Sequence, residues 1–303
     1  MMRTGVELGA APHPGPLPSL RGEGILLVFW LLAGCVGPLG SLRVEKPLTV
    51  DSARFSIRSD GRTDVTPIEH ALAEAPAGLA KWGGLEAPVT VYVVGTHDDL
   101  EAAVHRRGFG WLRAWARYDD VVFQAPSTWT TNAEVVDELV LHELTHCLLF
   151  QRTGTADTWK EKKIPLWFRE GMAVVTARQQ RLYPSLEDAA HWVETHPESD
   201  VFLDGDALSA DHYLEVYGFS LHAFTFLERR YGSAKLMKLF SLMREGADFT
   251  TGFAAAMGTP LENFQRDFSS YLRLRAFRGT GRTIPANRLD LRRLIESRER
   301  PGS

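Results

Sequence analysis

The chain has 303 residues, a formal net charge of −4 at neutral pH, 44% apolar and 24% charged residues. That is an ordinary composition for a folded protein and carries no basic surplus, so nucleic acid is not an expected partner. The length suffices for one two-lobed unit or two small domains sharing a core.

The first informative segment is Gly24-Ile-Leu-Leu-Val-Phe-Trp-Leu-Leu-Ala-Gly-Cys35, an apolar run preceded by Arg21. At roughly ten to twelve residues it is too short to span a bilayer, and it reads as a signal-peptide core. Its end, Leu32-Ala33-Gly34-Cys35, resembles a bacterial lipobox. That resemblance implies cleavage before Cys35, lipidation of Cys35, attachment to the membrane through an amino-terminal lipid anchor, and a place in the bacterial cell envelope. Val36 rather than Asp follows the cysteine, which by the same resemblance implies delivery to the outer membrane. Residues 1–34 are thus expected to be a signal peptide, with the Pro- and Gly-rich residues 1–20 as a start-site extension. Residues 35–50 are expected to be the lipidated cysteine and a tether.

Beyond the tether, residues 53–58 and 88–94 alternate and are rich in β-branched side chains, which predicts strands. Residues 68–82 and 97–106 have helical spacing between and after them. Residues 118–124 predict a third strand. Together, residues 51–152 form an expected α/β lobe that ends in a long apolar helix.

That helix carries His142-Glu143-Leu144-Thr145-His146, an HExxH pattern. On a helix, positions i and i+4 lie about 40° apart, so both imidazoles can face one metal ion, while Glu143 is displaced by about 100°. Such a place beside the metal suits a general base that takes a proton from zinc-bound water. Leu139, Val140, Leu144, Leu148 and Leu149 surround the pair, so the helix is expected to be buried. Histidines buried without partners would cost several kcal/mol, which metal coordination avoids. Cys147 points away from His146 and reads as a small core residue.

A catalytic zinc takes three protein ligands and leaves a position open. Residues 163–175, KIPLWFREGMAVV, predict a helix that starts near Pro165 and carries Glu170 and Gly171. Gly171 would let this helix approach a neighbour closely, and Glu170 completes a two-histidine, one-glutamate site for one Zn2+.

HELTH followed by PLWFREGMA resembles the gluzincin metallopeptidases, in particular compact bacterial enzymes with a later W-x-x-E-G-x-A helix. The resemblance spans roughly residues 50–275 and implies a zincin-like α+β fold: a small mixed amino-terminal sheet with helices, the active-site helix, and a mainly helical carboxy-terminal lobe. It makes His142, His146 and Glu170 the zinc ligands and Glu143 the base. The thermolysin-like members carry an Asp four residues after the glutamate ligand to hold a histidine, and here that position is Val174. Asp137 and Glu138 are the nearest acids on the active-site helix, although a solvated or helix-terminal role is the plainer reading for both. By the same resemblance, Tyr217 matches the tyrosine that leads a helix ending at a Tyr-Gly pair, where it would donate to the oxyanion; core packing is the alternative. Zincin-like folds bind extended peptide at a sheet edge near the active-site helix, which makes residues 118–124 the candidate strand, although ordinary sheet structure is the plainer reading for it.

Residues 182–212 are rich in Pro, Asp and Ser and are expected to be a long connection near the cleft. From residue 214 to 277 the spacing is helical, and residues 153–278 form an expected helical lobe that holds the third ligand. Residues 279–303 read as an Arg-rich tail.

The expected function is therefore a zinc-dependent peptidase tethered to the envelope, acting on a peptide or protein substrate. A non-catalytic, zinc-braced envelope lipoprotein that binds protein partners is the alternative.

Overall fold

A computed structural model describes residues 38–279. The expected signal peptide, Cys35 and the expected tail after residue 279 lie outside the described residues.

One five-stranded sheet forms the amino-terminal half, in the order β1-β2-β3-β5-β4. β1 (Val44–Val50) and β2 (Ala53–Ser59) make an antiparallel hairpin. From β2 the chain crosses through α1 (Thr66–Leu79) to the parallel β3 (Val89–Val94), and from β3 through α2 (His97–Val104) towards β5 (Asp120–Gln124), also parallel. Helical crossovers are what parallel neighbours require. The valines of β3 and β5 are buried, as befits strands covered on both faces. β4 (Ala114–Ala116) pairs antiparallel with β5 and forms the edge.

All three expected strands lie inside the sheet, so residues 118–124 take the role of ordinary sheet structure rather than that of the peptide-binding edge. β5 lies between β3 and β4. Its replacement at the edge, Ala114-Trp115-Ala116, has no β-branched residue and gives no periodic signal. Residues 44–50, expected within the tether, instead form β1, which Pro47 disguises because proline is tolerated only on an outer strand.

Helices build the rest: α3 (Ala133–Thr153), α4 (Leu166–Thr176), α5 (Leu186–Thr195), α6 (Val201–Arg244), α7 (Phe249–Met257) and α8 (Leu261–Gly279). α6 leaves helical geometry at His212 and at Gly232, the latter with φ 79°. The second break falls at the Tyr231-Gly232 pair noted in the sequence. The expected long connection at 182–212 is largely helical. Ser185 and Asp188 cap α5 reciprocally, Ala189 and Ala190 are buried, and Asp200 caps α6 through the N–H groups of Phe202 and Leu203. The capping residues supply the Ser and Asp content that suggested a loop.

Aromatic packing joins the two halves of the fold. Trp167 and Phe168 of α4 are fully buried and meet Phe249, Phe264 and Phe224 from α6 to α8. Trp82 packs edge-on against Phe224 and donates its indole N–H to Thr176 Oγ1 at 2.9 Å. The α+β arrangement expected from the sequence, a small sheet followed by a helical half, is the one observed.

Candidate metal centre

α3 starts at Asn132, whose side chain accepts the Glu134 N–H, and then runs through the core with every residue from His142 to Gln151 buried. His142 and His146 are one turn apart, with ring centroids separated by 4.9 Å. α4 begins after Pro165 and brings Glu170 in front of both rings.

Gly171 is what permits this approach. A Cβ there would lie 2.2 Å from the Ser220 carbonyl oxygen and 2.6 Å from Phe224 Cβ, so α4 can rest against α6 at this depth only without a side chain.

Glu170 Oε2 stands 3.3 Å from His142 Nε2 and 3.4 Å from His146 Nε2. One ligand atom from each of the three residues lies within 4.8 Å of the others. Among the described residues no fourth His, Cys, Asp or Glu joins them. Glu170 Oε2 is buried and accepts no well-formed hydrogen bond, although two ring nitrogens face it. Two imidazole nitrogens and an oxygen of this kind are a borderline-soft donor set of the sort Zn2+ takes. The residues therefore fit the ion.

The charges point the same way. Burial alone would raise the Glu170 carboxyl, yet the facing imidazoles hold it well below the usual carboxylate range. Burial disfavours a charged His142, and the neighbouring Glu170 and Glu143 carboxylates raise it nonetheless. A pocket with two buried carboxylates, Glu143 and Glu170, is one that a cation would satisfy. Glu143 does not point into the triad. Burial raises its carboxyl, while the Ala116 backbone N–H of the edge strand favours its ionised form.

The group that holds His142 was not found in the sequence. Gln179 Oε1 lies 2.8 Å from His142 Nδ1, and both side chains are buried. An amide oxygen can only accept, so the ring carries its proton on Nδ1 and presents a lone pair at Nε2. Asp137 and Glu138, the acids considered for this role, are elsewhere: Asp137 lies 3.7 Å from His70 Nδ1, and Glu138 pairs with Arg181. Cys147 is buried and free, with its thiol pushed well up by burial, as a core residue should be.

Both imidazoles open onto a cleft of about 680 Å³, and each starts a run of aromatic rings. On one side Tyr217 lies parallel to His142 with centroids 6.4 Å apart, and Trp111 follows at 6.3 Å from Tyr217. On the other side Phe150 lies 6.2 Å from His146, and Trp159 lies 4.4 Å from Phe150. Tyr217 thus lines the cleft beside a ligand ring, and burial followed by the Glu170 charge keeps its phenol well above the usual range.

An α+β fold that brings two histidines of one buried helix and a glutamate of the next to a single point is of the zincin-like kind. The chain belongs to the Peptidase MA superfamily, whose family model matches residues 73–274. It is also similar to a Bacillus subtilis (strain 168) protein, Uncharacterized protein YhcO, at 25% identity over 130 residues. That match covers 43% of this chain and 39% of the relative, so the chain spans well under half the length of the relative it matches.

Proposed function

We propose that the protein is a zinc-dependent peptidase in which Glu143 is the general base and His142, His146 and Glu170 hold the metal. The observation that carries this reading is the convergence of three ligand atoms with no fourth among the described residues, next to the buried Glu143 carboxylate. A structural zinc is normally closed by four protein ligands, which weighs against the purely bracing alternative.

Bound zinc would supply Lewis acidity and make a water in the site acidic enough to be deprotonated near neutrality. Glu143 takes the proton from the attacking water and delivers it to the departing amine. Its hydrogen bond from the Ala116 N–H ties that carboxylate to the sheet edge, and it favours the ionised form the first step needs. Tyr217 donates its hydroxyl to the oxygen that becomes negative as the carbonyl is attacked. Because burial holds its phenol up, that proton is retained throughout the neutral range.

β4 completes the reading. Arg117 N–H donates to the Asp120 carbonyl and Gln124 N–H to that of Arg113, so the odd-numbered residues face β5 and the backbone groups of Ala114 and Ala116 face away from it. An extended substrate lying along β4 would place its peptide bonds beside Glu143.

At the amino terminus, the apolar run ending in Leu32-Ala33-Gly34-Cys35 supports lipidation of Cys35 and attachment of the enzyme to the bacterial outer membrane. Cys35→Ala should move the protein from the membrane to the soluble fraction.

The test of the reaction is zinc content together with hydrolysis of a peptide library by the purified protein and its Glu143→Gln variant. The expected result is one zinc in both and hydrolysis only in the unmodified protein. Equal turnover by the two proteins would remove Glu143 from the mechanism.

A further inference from the structure

Resting on that reading, the second aromatic run in the cleft says something about the substrate. It leads from the metal ligand outward: His146 to Phe150, Phe150 to Trp159, and then to the Lys160 ammonium, which sits 5.4 Å from the Trp159 ring centre. Phe150 is buried, Trp159 is half-buried and Lys160 is exposed, so the wall grades from apolar at the metal to cationic at its rim. All three line the same cleft as the ligands.

Arg106, Arg113, Lys160, Lys163 and Arg169 line that cleft, with the acids Glu138, Glu143, Glu170 and Asp206. Glu138 pairs with Arg181, and Arg169 is taken up by Asp206 and Glu170. Lys163 has Asp248 as a neighbouring acid. Lys160 forms no ion pair among the described residues, and its ammonium lies against the Trp159 ring. An exposed ammonium with no ion pair, held at the rim of an apolar wall, attracts a ligand group of the opposite sign.

We propose that the wall formed by Phe150, Trp159 and Lys160 is a substrate subsite for an apolar or aromatic residue that has a carboxylate within about four residues of extended chain, at roughly 3.3 Å per residue. The rings cover the apolar side chain. Lys160, restrained by its contact with Trp159, pairs with the carboxylate. An acidic side chain and a chain-terminal carboxylate present the same chemistry, and the first would make the enzyme an endopeptidase for acidic segments, the second an exopeptidase.

The experiment uses the zinc-loaded full chain carrying Glu143→Gln, so that peptides bind without being consumed. Three fluorescein-labelled peptides share a central Phe: one amidated with Glu three residues to either side, one amidated with Gln at those places, and one with Gln and a free carboxyl terminus three residues after Phe. By fluorescence anisotropy, the Glu peptide or the free-acid peptide should bind roughly two- to fivefold more tightly than the neutral one. Which of the two gains identifies the source of the carboxylate. Lys160→Glu in the same protein should abolish the preference. Equal affinity for all three, no binding of any, or a preference that survives Lys160→Glu overturns the inference. Hydrolysis of these peptides by the unmodified protein without a carboxylate preference would overturn it while leaving the proposed reaction standing. Carboxylate-dependent binding without hydrolysis would do the reverse.

Discussion

His142 is held from behind by Gln179, with 2.8 Å between Nδ1 and Oε1. The relationship depends on how α4 ends. Arg178 takes a left-handed conformation at φ 58°, the Gln179 N–H returns to the Val174 carbonyl, and the Arg178 N–H returns to that of Val175. This is the bonding pattern of a Schellman turn, in which glycine is the usual left-handed residue. The turn swings Gln179 back across the helix to the imidazole. A single segment therefore supplies one of the proposed metal ligands, Glu170, and the clamp on another. The thermolysin-like pattern would put an acid at position 174, but Val174 is fully buried in apolar surroundings and cannot serve.

Removing that clamp should loosen the metal. Gln179→Ala is expected to weaken zinc binding about 10- to 100-fold in competition with a chromogenic chelator, whereas Gln179→Glu keeps an acceptor at the ring and should largely restore it. Undiminished affinity in the alanine variant would show that the amide does not position the ring.

The two residues that shape α4 should respond with opposite signs. Gly171→Ala drives a methyl into the Ser220 carbonyl, where backbone rather than a flexible side chain must yield, and is expected to cost about 2–3 kcal/mol in urea unfolding.

Arg178→Gly relieves a side chain from a left-handed position and should stabilise by roughly 0.5–1 kcal/mol, the glycine's greater unfolded-state freedom taking part of the gain. Its unfolding midpoint should rise while zinc affinity stays unchanged. A fall in the midpoint would mean that the Arg178 side chain contributes more than its backbone strain costs.

Tyr217→Phe removes the proposed oxyanion donor and keeps the ring beside His142. It should lower kcat by roughly 10²–10³-fold with little effect on KM or zinc content. Because burial raises the phenol pKa, the basic limb of the unmodified enzyme's pH profile should persist in the variant. Unreduced kcat would return Tyr217 to a packing role.

Asp248 caps α7 through the Thr251 N–H at 2.8 Å, and this bond lowers its pKa. Asp248→Ala should cost about 1 kcal/mol at pH 7. A depressed carboxylate pKa stabilises above the unfolded value and loses that contribution as pH falls through the folded one. The difference between variant and parent should accordingly shrink on acidification, as followed by urea midpoints from pH 7 to pH 3.

What could be read in the sequence follows from which signals are local. His142, His146 and Glu170 were legible because helical spacing and an apolar setting leave few other uses for them. Gln179 was not. It stands in the polar run Arg178-Gln179-Gln180-Arg181, its role depends on a helix end that no glycine marks, and its partner is 37 residues away in the chain. β4 escaped for a related reason: two alanines around a tryptophan become a strand only because β5 offers an unpaired side. The Phe150–Trp159 wall also required folding, since the turn at Trp159–Lys162 brings its ring back over the end of α3.

The two margins of the sheet are treated differently. Along β1, Lys46 and Pro47 make the outer margin a poor template, since a charged side chain and a missing N–H both discourage another strand from docking. The opposite margin, β4, carries neither device, and it is only three residues long. An open margin that short gives a neighbouring molecule too few backbone bonds to assemble on. In the proposed function it would still suffice to seat one guest chain next to Glu143. Main-chain pairing barely reads a guest's composition, so discrimination among guests would fall to the aromatic walls on either side.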